Sequence, residues 1–408
     1  GGGGAGVPTK PDTETPETPT EQPTGPIELS VGGQKVEATW NGSAASLRIT
    51  DEMLGQPGDQ GVIIQAQQAN IKNYTLKVDQ AAIRRTVEAG SKLIIDLPLA
   101  RLELDRSRLE GLKGDLELTI RATNASERTA EQELARTAGG EALGGGDGVS
   151  ITSNLPATSW STAIPTRVVV PSGIRSSDIT AVVLRAPDGS SWTTVPWKLD
   201  GTQVNVQLTG EGQLFFVHSK GEFRDVRAGY WAQESIQDAA SKLFVLGKGD
   251  GRFDPGSQIT RAEYPTILLR VAGWMNKDAS SSYTDVQTNQ WFNRSVSIAS
   301  EMGIVNGMAD GSYQPQASLT RAEAMTMVGR LLASMNLGAE LSDDEVNTIL
   351  SGFADEADIP QWARRPVALS VKSGIITGDN NQVKPTEVLT RAQAAAIAIR
   401  LDRLITDY

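Results

Sequence analysis

The sequence predicts a multidomain chain, with β-rich modules in the first half and an α-dominated set of helix–loop–helix repeats in the second. Three observations carry this expectation. Apolar and polar residues alternate with period two in short runs through 27–220. A five-residue motif ending in Thr-Arg-Ala-Glu or Thr-Arg-Ala-Gln returns three times beyond residue 258, each time opening a helical pattern. The first 26 residues, by contrast, hold six Pro and six Thr and show no apolar periodicity.

That opening segment, 1–26, reads as an extended, solvated Gly/Pro/Thr linker, either a spacer or a terminus that cannot build a core. The chain begins GGGGAGVPTK without an initiator Met, as expected for a trimmed product or the interior of a longer protein. From 27 to 138 the runs Ile27–Val31, Lys35–Trp40, Leu93–Leu97 and Asp115–Arg121 predict a β module, with one helical turn over Asp105–Leu112. Residues 139–149 include the Gly-rich stretch GGEALGGGDG and predict a flexible break. A second β module is expected over 150–219, from Arg167–Val170, Val204–Leu208 and Leu214–Val217.

Three repeats follow, over 222–279, 280–346 and 347–408. Ile259-Thr-Arg-Ala-Glu263 returns as Leu319-Thr-Arg-Ala-Glu323 and Leu389-Thr-Arg-Ala-Gln393. Phe223-Arg-Asp225, Tyr283-Thr-Asp285 and Phe353-Ala-Asp355 precede Trp231, Trp291 and Trp362 at near-constant spacing, and Gly247, Gly307 and Gly378 keep step with the repeated Arg. In each repeat an apolar stripe such as Trp231, Ile236, Ala239, Ala240 and Leu243 predicts a first helix, and Thr-x-x-Glu or Thr-x-x-Gln is a capping box for a second. A single helix pair cannot bury its apolar face alone, whereas three can share one core. Between repeats 2 and 3 lies an acidic insert, Glu340–Glu345.

Composition removes several function classes. There is no Cys, so disulfides, thiolate metal sites and a Cys nucleophile are excluded. One histidine, His218, forbids a multi-His zinc site and leaves a Ser-His-Asp triad hanging on that residue. The net charge of −11 argues against nucleic acid as a partner. No run of about 18 apolar residues is present to span a membrane. The loop pairs Asp250-Gly251 and Asp310-Gly311 lack the alternating carboxylates of a calcium loop and read as turns. No cofactor, metal or catalytic residue is expected.

The repeated Arg261, Arg321 and Arg391 sit where a helix start also presents free N–H groups, an arrangement that favours an anion. The alternative is a structural ion pair to a carboxylate such as Asp225 or Glu263. Each Trp is either core or lid, or a flat face on which a sugar ring stacks. Arg270, Arg330 and Arg400, nine residues further on, read as end-of-helix charges.

The Phe/Tyr-x-Asp start, the Trp, Gly303-Ile-Val-Asn-Gly307, the Asp-Gly turn and the Leu-Thr-Arg-Ala-Glu motif together resemble the S-layer homology (SLH) domain in three copies over 222–408. The resemblance implies a three-lobed pseudo-trimer with one helix per repeat in a central three-helix bundle. It implies a non-enzymatic protein of the Gram-positive cell surface, anchored non-covalently to secondary cell-wall polysaccharide, with a pyruvate-ketal sugar as the recognised unit. Carried over by position, Arg261, Arg321 and Arg391 would meet the carboxylate. Asp225, Asp285 and Asp355 would position sugar hydroxyls or the Arg. Trp231, Trp291 and Trp362 would line the groove, and Gly247, Gly307 and Gly378 would allow close backbone approach. Repeat 2 is the most regular and is expected to bind most strongly. The β modules would then be a stalk or part of a surface layer, with self-association. Two other functions fit the same sequence. One is the anchoring fragment of a wall-bound polysaccharide-degrading enzyme. The other is a carbohydrate-binding β region with Trp160, Trp192 and Trp197 as stacking candidates.

Overall fold

The alternating runs of the first half build two sheets that share one core. These are features of a computed structural model, which describes residues 29–407 apart from 37, 68, 69 and 339; the expected linker 1–26 lies outside the described residues. One sheet runs Trp197–Asp200, Gln203–Leu208, Ile164–Val169, Ala100–Leu104, Leu93–Asp96, Val62–Ala66, Leu29–Val31, Gln34–Val36. The other runs Trp192–Thr194, Ala181–Arg185, Gly212–His218, Gly148–Ser153, Leu116–Ala122, Asn73–Val78, Ala44–Ile49, Thr39–Asn41. Pairing is antiparallel except between Ala44–Ile49 and Asn73–Val78 and between Val62–Ala66 and Leu93–Asp96. Inward residues of both sheets, among them Leu47, Leu76, Leu118 and Phe216 from one and Ile64, Ile95, Leu102 and Val206 from the other, form a single buried cluster.

This corrects the expected division of the β half into modules 27–138 and 150–219. Thr166 of the later segment pairs with Leu102 of the earlier one, and Ile151 pairs with Ile120, so both sheets need strands from both segments. The Gly-rich stretch 139–149 is not a flexible break either. Glu141–Ala142 pairs with Gly212–His218, and Gly148 begins a strand. The run Lys35–Trp40 is two strands rather than one, since Gln34–Val36 and Thr39–Asn41 lie in different sheets. Helices α1 (Gln80–Glu88), α2 (Arg106–Leu109) and α3 (Ala125–Thr137) interrupt the strands. Asp105 caps α2 where a helical turn was expected. Asn124 and Glu127 form a capping box on α3, a helix inside the segment 27–138 that was expected to be a β module.

In the second half each repeat supplies a first helix, a turn-rich loop and a second helix. The first helices are α4 (Gln233–Ser241), α6 (Asn293–Glu301) and α9 (Arg364–Lys372). The second helices are α5 (Glu263–Ala272), α7 (Arg321–Ser334) and α10 (Arg391–Asp407). The acidic insert forms a helix of its own, α8 (Asp343–Leu350), because Ser342 and Glu345 make a capping box. Buried side chains from all three repeats form one cluster, including Ile236, Leu268, Val296, Val328, Val367 and Ile397.

The repeats interlock through a closed set of backbone hydrogen bonds. The Ile259 N–H donates to the Leu389 carbonyl, the Leu389 N–H to Leu319, and the Leu319 N–H back to Ile259. The next residues repeat the pattern: Arg261 N–H donates to Ala317, Arg321 N–H to Glu387 and Arg391 N–H to Ser257.

The β unit docks on repeat 1. Thr194 Oγ1 donates to the Arg270 carbonyl (2.6 Å), Thr180 Oγ1 to the Ser241 carbonyl (2.8 Å), and Thr209 Oγ1 to the Gly273 carbonyl. Gly273 has φ of 74°, and a Cβ there would meet Pro196 Cδ at 2.9 Å, so the junction admits no larger residue. Leu243 completes a small buried cluster with Val183, Phe215 and Val217 of the β unit.

One buried group makes the β unit sensitive to pH. Glu131 on α3 is fully buried, and among the described residues neither of its carboxyl oxygens has a hydrogen-bond partner. Burial, and then the neighbouring Glu127, push its pKa from 4.5 up to about 8, against opposing pulls from Arg185 and Arg128. A pKa raised in the folded state gives stability that is complete below the unfolded value and lost as pH rises through the folded one. Thermal unfolding should therefore show the β unit weakening by roughly 3–5 kcal/mol between about pH 4.5 and pH 8. Glu131→Gln should flatten that dependence, and an unchanged profile in this variant would assign the effect elsewhere.

Candidate functional site between the repeats

The Thr-Arg-Ala-Glu motif joins neighbouring repeats. Thr320 caps α7 and Glu323 returns the bond to the Thr320 N–H at 2.8 Å. Thr260 with Glu263, and Thr390 with Gln393, make the same pair of bonds. This fixes the backbone of the intervening Arg, whose side chain leaves its own repeat and enters the loop of the next.

Arg391 donates from Nε to the Phe253 carbonyl (2.9 Å), from Nη2 to the Leu246 carbonyl (2.9 Å) and from Nη1 to Glu263 (3.2 Å). Arg261 does likewise to the Tyr313 carbonyl (3.0 Å), the Asn306 carbonyl (3.0 Å) and Glu323 (3.2 Å). Each guanidinium also lies over an aromatic ring, Phe253 at 4.6 Å and Tyr313 at 4.9 Å. The ion-pair alternative thus holds for these two, with a carboxylate from the neighbouring repeat rather than from their own. Burial raises the Glu263 carboxyl, but Lys248, the Thr260 N–H and Arg391 outweigh it and hold the group below its ordinary value.

Arg321 departs from this pattern. It donates from Nε to the Val383 carbonyl at 2.8 Å, but Gln393 stands where the other two sites have Glu. Among the described residues its terminal nitrogens carry no hydrogen bond. It is 9% exposed, and burial lowers its pKa.

The three Asp residues serve the loops. Asp225 accepts from the Phe253 and Asp254 N–H groups, Asp285 from Tyr313 and Gln314, and Asp355 from Val383 and Lys384, all at 2.6–2.8 Å. Asp254, Gln314 and Lys384 have φ of 55–60°, so each Asp pins a left-handed turn that ordinary side chains disfavour. Burial raises Asp225, but its two N–H donors prevail and hold it below the usual carboxylate range. The glycines make room for aromatic rings: a Cβ on Gly247 would lie 2.8 Å from Phe223 Cε1, and one on Gly378 2.8 Å from Phe353 Cε1. Tyr283 packs on Gly307 in the same way.

The tryptophans do not belong to the buried stripes. Trp231, Trp291 and Trp362 are 62%, 63% and 57% exposed, an unusual condition for the largest apolar side chain. Trp231 of repeat 1 lines a groove of about 460 Å³ with Arg321 of repeat 2 and Gly378, Gln393 and Arg400 of repeat 3. Residues singled out separately in the sequence thus meet across three repeats. Arg400 and Gln393 were read from the sequence only as an end-of-helix charge and a capping residue, because the side-by-side placement of different repeats has no local signal.

The β-unit tryptophans face the junction. Trp192 lies 5.3 Å from Arg270 and Trp197 5.6 Å from Lys242, while the Trp160 carbonyl accepts from Lys277. Burial draws the Arg270 pKa down to about 10. His218 Nδ1 lies 2.8 Å from the Asp178 carbonyl oxygen, at the end of a strand. Asp250-Gly251 and Asp310-Gly311 form turns with left-handed residues.

Residues 222–264, 282–325 and 352–395 match the S-layer homology domain. The chain carries three SLH domains. It is similar to the S-layer protein sap of Bacillus anthracis, at 28% identity over 44% of this chain and 21% of that protein. It is also similar to an amylopullulanase of Thermoanaerobacterium thermosulfurigenes (30%, over 53% of this chain and 11% of the enzyme). A third relative is the exoglucanase XynX of Acetivibrio thermocellus (30%, over 52% and 18%). The chain therefore spans about a tenth to a fifth of these relatives, and the enzymes match through the SLH region. SLH domains and S-layer relatives indicate a cell-surface or cell-wall location. Among the described residues no helix is long and apolar enough to cross a membrane.

Asp355→Ala strands the buried Val383 N–H and the half-buried Lys384 N–H at a left-handed turn and should cost roughly 2–4 kcal/mol. Chemical denaturation would show it, and a wild-type midpoint would mean that the loop does not depend on this carboxylate.

Proposed function

We propose that the SLH domains hold this chain non-covalently on a secondary cell-wall polysaccharide, recognising a sugar that carries a carboxylate such as a pyruvate ketal. The observation that carries this reading is the groove lined by an exposed Trp231 and by a guanidinium, Arg321, whose terminal nitrogens make no hydrogen bond among the described residues. A flat aromatic face takes the apolar side of a sugar ring, and a desolvated guanidinium takes an anion more strongly than it would in water. Asp225, Asp285 and Asp355, and Gly247, Gly307 and Gly378, would act indirectly by setting the loops that form the groove walls. We further read the three repeats as a pseudo-threefold body around α5, α7 and α10, a reading supported by the closed hydrogen-bond ring at Ile259, Leu319 and Leu389.

In this proposal the chain itself is not an enzyme, and the β unit is a rigid spacer or a component of a surface layer. The carbohydrate-binding alternative for the β region is less favoured, because the rings of two of its three candidates, Trp192 and Trp197, are engaged where the β unit meets repeat 1. The two enzyme relatives favour a second reading, in which the chain is the anchoring part of a longer polysaccharide-degrading protein.

Purified cell wall should retain the chain, and wall stripped of its pyruvate ketals should retain at least tenfold less. Equal retention by both would remove the carboxylate from the mechanism. Trp231→Ala should weaken retention by roughly tenfold, about 1.4 kcal/mol.

A further inference from the structure

We infer that the grooves are unequal by construction, and that this chain takes its anionic ligand in one groove, the one lined by Trp231, Arg321, Gln393 and Arg400. This rests on the anchoring reading above and narrows it. The three repeated arginines differ in what already neutralises them. Arg391 meets Glu263 and Arg261 meets Glu323, each at 3.2 Å, and each gives a second terminal nitrogen to a carbonyl. Their positive charge is taken up inside the protein, and a ligand carboxylate would have to displace a carboxylate held by the capping box. At Arg321 the corresponding residue is Gln393, which keeps the capping bonds but carries no charge.

The surroundings agree. Arg400 lines the Arg321 groove and spends one nitrogen on the Ile375 carbonyl at 3.0 Å. Asp379 also lines it, but its carboxylate is paired with Lys384 at 2.6 Å. Among the described residues neither guanidinium makes an ion pair, and Glu387 and Asp379 act on Arg321 only through space. At repeat 1 the equivalent of Arg400 is Arg270, which is covered by Trp192 of the docked β unit. Glu263 in that repeat is doubly engaged, by Arg391 and by Lys248 at 2.6 Å. Arg261 and Arg391 act as staples between repeats, and Arg321 is the remaining anion receptor. The regularity of repeat 2 is thus not what selects the site; the selecting residue is the exception in repeat 3, Gln393.

The test uses the full chain, a methyl hexopyranoside carrying a pyruvate ketal, the same hexoside without the ketal, and purified cell wall. Calorimetry should give one site per chain for the ketal hexoside and none for the neutral one. Gln393→Glu installs the missing ion pair, so it should preserve or raise the melting temperature while lowering hexoside affinity and wall retention at least tenfold. Arg321→Lys should lower affinity similarly, at a cost in melting temperature because the Nε bond to the Val383 carbonyl is lost, so Gln393→Glu is the variant that separates binding from stability. Two or three sites per chain, or undiminished binding by Gln393→Glu, would overturn the single-groove inference while leaving anchoring intact. Wall binding without hexoside binding would overturn the carboxylate assignment, and a chain that fails to bind wall would remove the anchoring reading as well.

Discussion

Everything in the second half of the molecule depends on the exchange of the motif Thr-Arg-Ala-Glu/Gln between neighbours. Each motif does three things with adjacent atoms. Its first residue, Ile259, Leu319 or Leu389, joins the backbone ring; its Thr caps a helix; its Arg reaches into the next loop. A buried guanidinium needs several partners to offset its desolvation, and carbonyls of the neighbouring loop supply them. Those loops are in turn held open by Asp225, Asp285 and Asp355, which collect N–H groups at left-handed residues. Removing any repeat would leave an Arg or a loop unpaired, so the three units behave as one body with one core.

The same logic extends across the junction with the β unit. Gly273, which ends α5, is approached by Pro196 and Thr194, and the carbonyls of Arg270 and Gly273 are taken by threonine hydroxyls. Helix ends leave carbonyls without partners, and here the β unit supplies the donors that a C-terminal cap would otherwise provide. The junction therefore satisfies obligatory polar groups, with Trp192 and Trp197 stacked over cations as the apolar component. The β unit leaves repeat 1 in a fixed direction, and it also closes over Arg270.

Much of this was legible in the sequence because the repeats are registered. Three copies of Thr-Arg-Ala-Glu/Gln, of the aromatic-x-Asp start and of the Gly located the helices, the loops and the family. The capping box at Ser342–Glu345 was equally local, but charge clustering hid it as an acidic insert. The β half misled for a physical reason. Period-two alternation reveals strands but not their partners, and here Ile164–Val169 pairs back to Ala100–Leu104 across about 60 residues. The glycines of 139–149 looked like a hinge, yet Gly148 is small because a Cβ would strike the Leu214 carbonyl. The site was half legible. Arg, Trp, Asp and Gly were all flagged, but their roles separated only in three dimensions, where Arg391 and Glu263 turned out to be partners 128 residues apart.

Charge sharpens the same point. The protein carries −11 overall, so its long-range field repels an anionic polymer. Screening in salt weakens that field beyond about 10 Å but leaves a half-enclosed groove nearly untouched. Under the proposed anchoring function, attraction therefore has to arise from cations without an ion-pair partner at short range, and that pairing is decided residue by residue. A Glu three positions after the Thr serves the capping box as well as Gln does, since both present an oxygen to the Thr N–H. The fold is indifferent to that choice, whereas the guanidinium of the preceding repeat is not. One amide in place of one carboxylate can thus change a structural staple into a receptor without disturbing the helix that carries it.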